Sequence, residues 1–205
     1  PITFSGVAAS LTLGGSLADD ALVLGHDPDI SGNLLLTSAG TTASISFAKP
    51  TASLVLSGLA GKDSLTFGDD LDLGALALTV NAETIVLPSS ASLLAESVTF
   101  NAIADASSTA LDQRYASVSI QGAITTTGAL SVNAQATNTR SGSAAIAATS
   151  SARAEISGTA AVLSVGSLSM NATVTNDFTV EIPVSLATLA DSAAITAENT
   201  ARVAV

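Results

Sequence analysis

The sequence predicts an all-β protein folded as a parallel β-helix, and three observations carry that expectation. First, residues 1–43 are written twice. At an offset of 43, Ile2, Phe4, Leu11, Leu13, Gly15, Asp20, Leu22, Gly25, Asp27, Asp29 and Leu35 fall on Ile45, Phe47, Leu54, Leu56, Gly58, Asp63, Leu65, Gly68, Asp70, Asp72 and Leu78. Fixed-period self-similarity marks units that bury their apolar face only against a neighbour. Second, apolar residues alternate with period two, which points successive side chains to opposite faces of a strand. Third, an apolar-Asn-Ala phrase returns as Val80-Asn81-Ala82, Phe100-Asn101-Ala102, Val132-Asn133-Ala134 and Met170-Asn171-Ala172, the first interval being 20 residues. Half of 43 is close to that interval, so each repeat is expected to make two coils of about 20 residues, with longer coils towards the C-terminus.

Two regions follow. In residues 1–102 the pairs Leu11/Leu13, Leu22/Leu24, Leu34/Leu36, Ile45/Phe47, Leu54/Leu56, Leu65/Phe67, Ile85/Leu87 and Val98/Phe100, with Leu76/Leu78/Val80, are the expected inward positions. Gly, Ser, Asp or Pro separates them, as turns require. In residues 103–205 Ala, Ser and Thr replace the leucines, implying longer strands and a slimmer interior. Ser107–Ile120 aligns with Ser143–Ile156 at an offset of 36, Ser192–Val205 echoes both, and Gly128–Ala134 matches Gly166–Ala172. Alanine favours helix, but these runs lack an apolar stripe of helical period and are dense in Ser and Thr, so strand is expected. The alternative is two antiparallel β-sandwich domains, one per half. The lack of Trp and the scarcity of Asn-Gly or Asp-Gly hairpins weigh against it.

Composition narrows the function. Hydrophobic residues make up 47% of the 205, enough to rule out an acidic disordered tail. Net charge is −11, divided as −8 over residues 1–100 and −3 over 101–205. Six basic residues and 3% aromatics exclude a nucleic-acid interface. An acidic surface suits metal cations and salty extracellular fluid. No Cys is present, which removes disulfides, thiolate metal sites and Cys nucleophiles. No apolar run is long enough for a membrane-spanning helix. The pattern is that of a segment of a longer polypeptide.

Acidic turns are the candidate sites. Leu24–Ile30 holds Asp27 and Asp29, Phe67–Leu73 holds Asp69, Asp70 and Asp72, and an acidic turn containing Asp63 precedes the second. Carboxylates in short turns are the ligands Ca²⁺ prefers, and two coils in register would align Asp27 with Asp70 and Asp29 with Asp72. The bland reading is of solvated turns that oppose misstacking. His26 is the only histidine, so no Ser-His-Asp arrangement has a spare base, and no Gly-x-Ser-x-Gly, P-loop or His-Glu-x-x-His motif is present. Catalysis is not expected. Thr137-x-Thr139 and Thr173-x-Thr175 lie 36 apart, matching the local period. The asparagine phrases would form hydrogen-bonded ladders if their coils stack, or else serve as turn formers.

Gly58-Leu-Ala-Gly-Lys-Asp-Ser-Leu-Thr66 resembles the RTX nonapeptide Gly-Gly-x-Gly-x-Asp-x-U-x, with Leu59 in place of the second Gly. In that family the Asp and backbone carbonyls of adjacent turns share Ca²⁺. With its Gly-x-Leu-x-Val-Asn-Ala phrases and Ala/Ser/Thr-rich strands, the whole chain resembles the repetitive β-solenoid regions of large bacterial secreted and surface proteins of the haemagglutinin-like adhesin kind. The resemblance implies a non-catalytic stalk or filament on the cell exterior, self-associating by stacking or continuing within a larger chain. Two alternatives accompany it: a Ca²⁺-dependent adhesion module binding cell-surface glycans, and a β-helix polysaccharide lyase or hydrolase.

Overall fold

A computed structural model describes residues 2–4, 6–39, 44–59, 61–107, 112–142, 146–158, 163–180 and 195–204. Position 60 of the RTX-like turn, and residues 108–111, 143–145 and 192–194 of the C-terminal repeats, lie outside them. The described chain is all-β, with no helix among the described residues. Its strands in the first half are β1 (Ile2–Phe4), β2 (Ser10–Gly14), β3 (Ala21–His26), β4 (Asn33–Ala39), β5 (Ile45–Ala48), β6 (Ser53–Ser57), β7 (Ser64–Phe67), β8 (Leu71–Asp72), β9 (Ala77–Ala82), β10 (Thr84–Leu87) and β11 (Ser92–Ala95). They continue as β12 (Ser97–Ser107), β13 (Asp112–Ile120), β14 (Ala123–Thr126), β15 (Ala129–Gly142), β16 (Ile146–Ile156), β17 (Leu163–Ser164), β18 (Ser167–Val180) and β19 (Ile195–Ala204).

Three open sheets collect these strands. Sheet A runs β1-β5-β4-β3-β7-β10-β13-β16-β19, sheet B runs β18-β15-β12-β9-β6-β2, and sheet C runs β17-β14-β11-β8. From β6 onward the chain visits B, A and C in strict rotation, and every pairing there is parallel. Sheets A and B cross the boundary between the two sequence regions, which is at odds with a pair of separate sandwiches.

Register follows the written repeats. Val80-Asn81-Ala82, Phe100-Asn101-Ala102, Val132-Asn133-Ala134 and Met170-Asn171-Ala172 are successive neighbours in sheet B. Ile120 pairs with Ile156, and Ile146 with Ile195. Inward columns result: Leu54, Leu78, Val98 and Leu130 in sheet B, Leu22, Leu65, Ile85 and Val118 in sheet A, Leu71, Leu93 and Ile124 in sheet C, all buried. Burying each such side chain stabilises the fold by about 1.5–3 kcal/mol before ordering costs. Phe67 and Phe100, facing from sheets A and B, meet with ring centroids 5.6 Å apart.

Two expectations are corrected. The 43-residue copies are not two coils apart: β1 pairs directly with β5, β2 with β6, and β3 with β7, each at that offset. The copies then part company after Gly25 and Gly68. In the first, Asp27-Pro28-Asp29 turns back, with Asp27 N–H donating to the Asn33 carbonyl at 3.0 Å and Gly32 at φ +85°. The turn sends β4 antiparallel between β3 and β5. In the second, Leu71 stands where Pro28 does, keeps its amide, and enters sheet C, where it is 2% exposed. Proline cannot supply that ladder donor. The threonine pairs are corrected too, because sheet B is offset by 38 there: Thr137 pairs with Thr175, and Thr139 with Asp177.

Candidate functional site

Acidic residues stand at both ends of β3 and β7 in sheet A. At the start, a carboxylate staircase climbs from rung to rung. The Asp20 amide donates to Asp63 Oδ1 at 2.8 Å, and the Asp63 amide donates to Glu83 Oε2 at 2.7 Å. Beside it, the Lys62 amide donates to Asp19 Oδ1 at 2.8 Å. The Asp63 and Glu83 carboxylates thus each satisfy the amide of the residue just before a neighbouring strand, β3 and β7 respectively.

The two copies of this turn differ in what their carboxylates bond. Asp20 Oδ2 accepts from the Ser16 amide at 2.5 Å, and Asp20 Oδ1 accepts from the Ser38 hydroxyl at 3.2 Å. At the matching point of the second copy Leu59 has φ +77°, and Asp63 Oδ2 is buried without a hydrogen-bond partner. The Ser16 amide bond holds the Asp20 carboxyl below its ordinary range. Burial pushes Asp63 up, against the Asp20 amide, with the charges of Asp20 and Asp19 adding to the rise. Burial also raises Glu83, while the nearby Arg114 charge opposes the rise. A cleft of about 220 Å³ adjoins, lined by Lys62, Asp63, Glu83, Arg114 and Tyr115. A larger one, about 380 Å³, runs between exposed Leu59 and Ile103 over Asn81, Ala82 and Glu83.

At the far end of β3 and β7 stand the other predicted ligands. Asp27 Oδ1 accepts from the amides of Asp29 at 2.8 Å and Ile30 at 3.2 Å, and Asp27 Oδ2 accepts from the Ser46 hydroxyl. The Ser46 bond, then the Asp29 amide, lowers the Asp27 pKa. Asp69 Oδ2 accepts from the His26 amide at 3.0 Å, and the His26 ring Nε2 lies 2.8 Å from the Asp70 carbonyl. Asp72 Oδ1 accepts from the Gly74 amide at 2.9 Å, and its carbonyl accepts from Lys49 Nζ at 3.0 Å. Asp29 is exposed.

Asp27, Asp69 and Asp72 thus organise turns, and Asp63 belongs to the other end of the strands. No group of three or more His, Cys, Asp or Glu side chains converges among the described residues. Because β4 replaces a second coil here, Asp27 and Asp70 do not stack as successive copies of one corner; β3 and β7 are direct neighbours and the chain diverges beyond them. The sequence reading passed over Asp20, Glu83 and Ser46 as site residues. The match of Asp20 to Asp63 was a visible signal, whereas Glu83 and Ser46 join only through the rung spacing.

A second polar line is the asparagine ladder on sheet B. Asn101 Nδ2 donates to Asn81 Oδ1 and Asn133 Nδ2 donates to Asn101 Oδ1, both at 2.9 Å. Of the two meanings open to these asparagines, stacked amides are what the structure contains. No protein-family model, no curated protein and no solved structure matches the chain.

Proposed function

We propose that this chain is a structural, non-catalytic segment of an extracellular stalk or filament in a large repetitive surface protein, folded as a β-solenoid. The observation that carries the reading is the strict B–A–C rotation of strands with identical residues held rung on rung, seen most directly in Asn81, Asn101 and Asn133. Such an architecture grows by adding rungs and transmits load along hydrogen-bonded columns rather than enclosing a reactive centre. The carboxylate staircase supports the same view, since its bonds join neighbouring rungs. An acidic, cysteine-free chain is suited to the exterior of a cell.

The test is cryo-electron microscopy of the native parent protein. A rod with rungs about 4.8 Å apart is expected. Discrete globular beads, one per half of this segment, would overturn the reading. The Ca²⁺-dependent adhesion alternative draws on the gathering of Asp27, Asp29, Asp69, Asp70 and Asp72 at one end of β3 and β7. A thermal shift on adding Ca²⁺ that disappears in an Asp70→Asn, Asp72→Asn variant would favour it.

A further inference from the structure

Sheet C is one strand short at its start. In the first copy sheet B gains β2 beside β6 and sheet A gains β3 beside β7, whereas sheet C ends at β8, with no strand paired to its far side among the described residues. The missing strand is the one that the Asp27-Pro28-Asp29 turn diverts into β4. Alternate residues of a strand present their N–H and C=O groups to opposite edges. The Leu73 amide donates to the Leu94 carbonyl at 2.7 Å, so Leu71 and Leu73 face β11, and Asp70 and Asp72 turn their backbone groups to the free edge. Those two carbonyls are occupied. His26 Nε2–H donates to the Asp70 carbonyl at 2.8 Å, and Lys49 Nζ donates to the Asp72 carbonyl at 3.0 Å. His26 ends β3 and Lys49 follows β5, so both side chains reach from the first copy to the place its own strand left.

We infer that His26 and Lys49 guard this edge, closing sheet C to strand addition by a second copy of the chain. Placement is the first argument. His26 is the only histidine and Lys49 one of two lysines in 205 residues, yet they stand on carbonyls two residues apart. Energy is the second. Both bonds lie at the surface, where a side-chain bond exchanged with water adds little net stability. An open strand edge, however, is a template for another chain, and a lysine on the edge, a charged neighbour and a very short strand all oppose its use. β8 has only Leu71 and Asp72, and Asp72 adds an exposed carboxylate. Fit is the third. β8, β11, β14 and β17 stack in one register, with Leu71, Leu93 and Ile124 buried in a column. A strand of the same alternation from a second copy matches the free edge of β8 as β11 matches the other. To pair there, it must first displace both side chains from the Asp70 and Asp72 carbonyls.

Sedimentation equilibrium of the full chain tests this by comparing wild type with a His26→Ala, Lys49→Met variant, which keeps the lysine stem and removes its ammonium. The double variant is expected to self-associate about tenfold or more tightly than wild type, because the cost of displacing the two donors is gone. Lys49→Arg, which still donates, is expected to behave as wild type. So is Lys62→Met, which makes the same charge change away from the edge. Amide hydrogen exchange read by NMR locates the contact: the Asp70 and Asp72 amides face the free edge and are expected to slow in the associated double variant. Far-UV circular dichroism and melting confirm that the variants are folded; should the double variant fail to fold, Lys49→Met alone replaces it. Unchanged association in the folded variant overturns the proposal, as does equal tightening by Lys62→Met or by Lys49→Arg. Association that leaves the Asp70 and Asp72 amides exchanging as in the monomer also overturns it. Each comparison is with wild type at the same concentration, so the guarded edge stands or falls separately from the stalk reading.

Discussion

The backbone amide of Asp20 is bonded to the carboxylate of Asp63, its counterpart one repeat later, at 2.8 Å. The same carboxylate has a second oxygen that is buried and unpartnered, so one residue both ties two rungs together and carries a desolvation cost. That duality gives the fold a pH signature.

Asp63 and Glu83 titrate above their ordinary values of 3.8 and 4.5, so the folded chain holds protons that the unfolded chain has released. Stability from these two groups is full below those ordinary values and falls as pH rises through their raised folded values. Asp20 and Asp27 are lowered, so their contribution is full above 3.8 and is lost as pH falls through their folded values. The melting temperature is therefore expected to rise on mild acidification from neutrality and to fall again in stronger acid. Asp63→Asn keeps the acceptor for Asp20 and is expected to flatten the rise without lowering the neutral melting point. A large loss of stability in that variant at neutral pH would show that the second oxygen is bonded after all.

The middle of the asparagine ladder is bonded on both sides. Asn101→Ala removes two side-chain bonds and is expected to cost about 1–3 kcal/mol, against about 0.5–1.5 kcal/mol for the end member Asn81→Ala. Urea denaturation of both variants reads the difference, and equal costs would show that the ladder bonds do not act as a chain.

Gly122 lies where a Cβ would stand 1.9 Å from the Ala91 carbonyl oxygen and 2.6 Å from that of Pro88. Both obstacles are backbone, so Gly122→Ala must displace a turn of the stack and is expected to cost about 3 kcal/mol or more. Gly32→Ala, with open space around it but φ +85°, is expected to cost only about 1–2 kcal/mol. The ratio of the two, from equilibrium unfolding, separates close approach from backbone strain.

Leu59 sits at φ +77° with its side chain 59% exposed. Leu59→Gly, which restores the glycine of the RTX-like pattern, is expected to stabilise the chain by about 0.5–1 kcal/mol by relieving that conformation. A destabilised variant would mean that the Leu59 side chain packs productively over Gly14, against which it rests.

The paired rings of Phe67 and Phe100 span the interior between sheets A and B. Phe100→Ala is expected to cost about 3–5 kcal/mol, and Phe100→Leu considerably less, because leucine refills most of the volume. Melting temperatures of the two variants rank them.

Much of this arrangement was legible in the residues alone. The apolar-Asn-Ala phrases predicted the register of sheet B, and the offset of 36 placed Ile120 against Ile156, because parallel rungs set like on like. The inward leucines were legible from alternation, since a strand's side chains have a strict period of two. Three things only the tertiary structure decided. Pro28 and the Asp27 turn reversed β4, so one 43-residue copy fills the space between paired strands, and Leu34 and Leu36 become the buried pair where the second copy buries Leu78 and Val80. The partners of the Asp27, Asp69 and Asp72 carboxylates, nearby amides and a hydroxyl, follow from how the turns meet in space. Asp27 became buried and Asp70 exposed although they are matching positions of the two copies, because burial depends on which strand lies alongside, and strand order is set by the whole path of the chain.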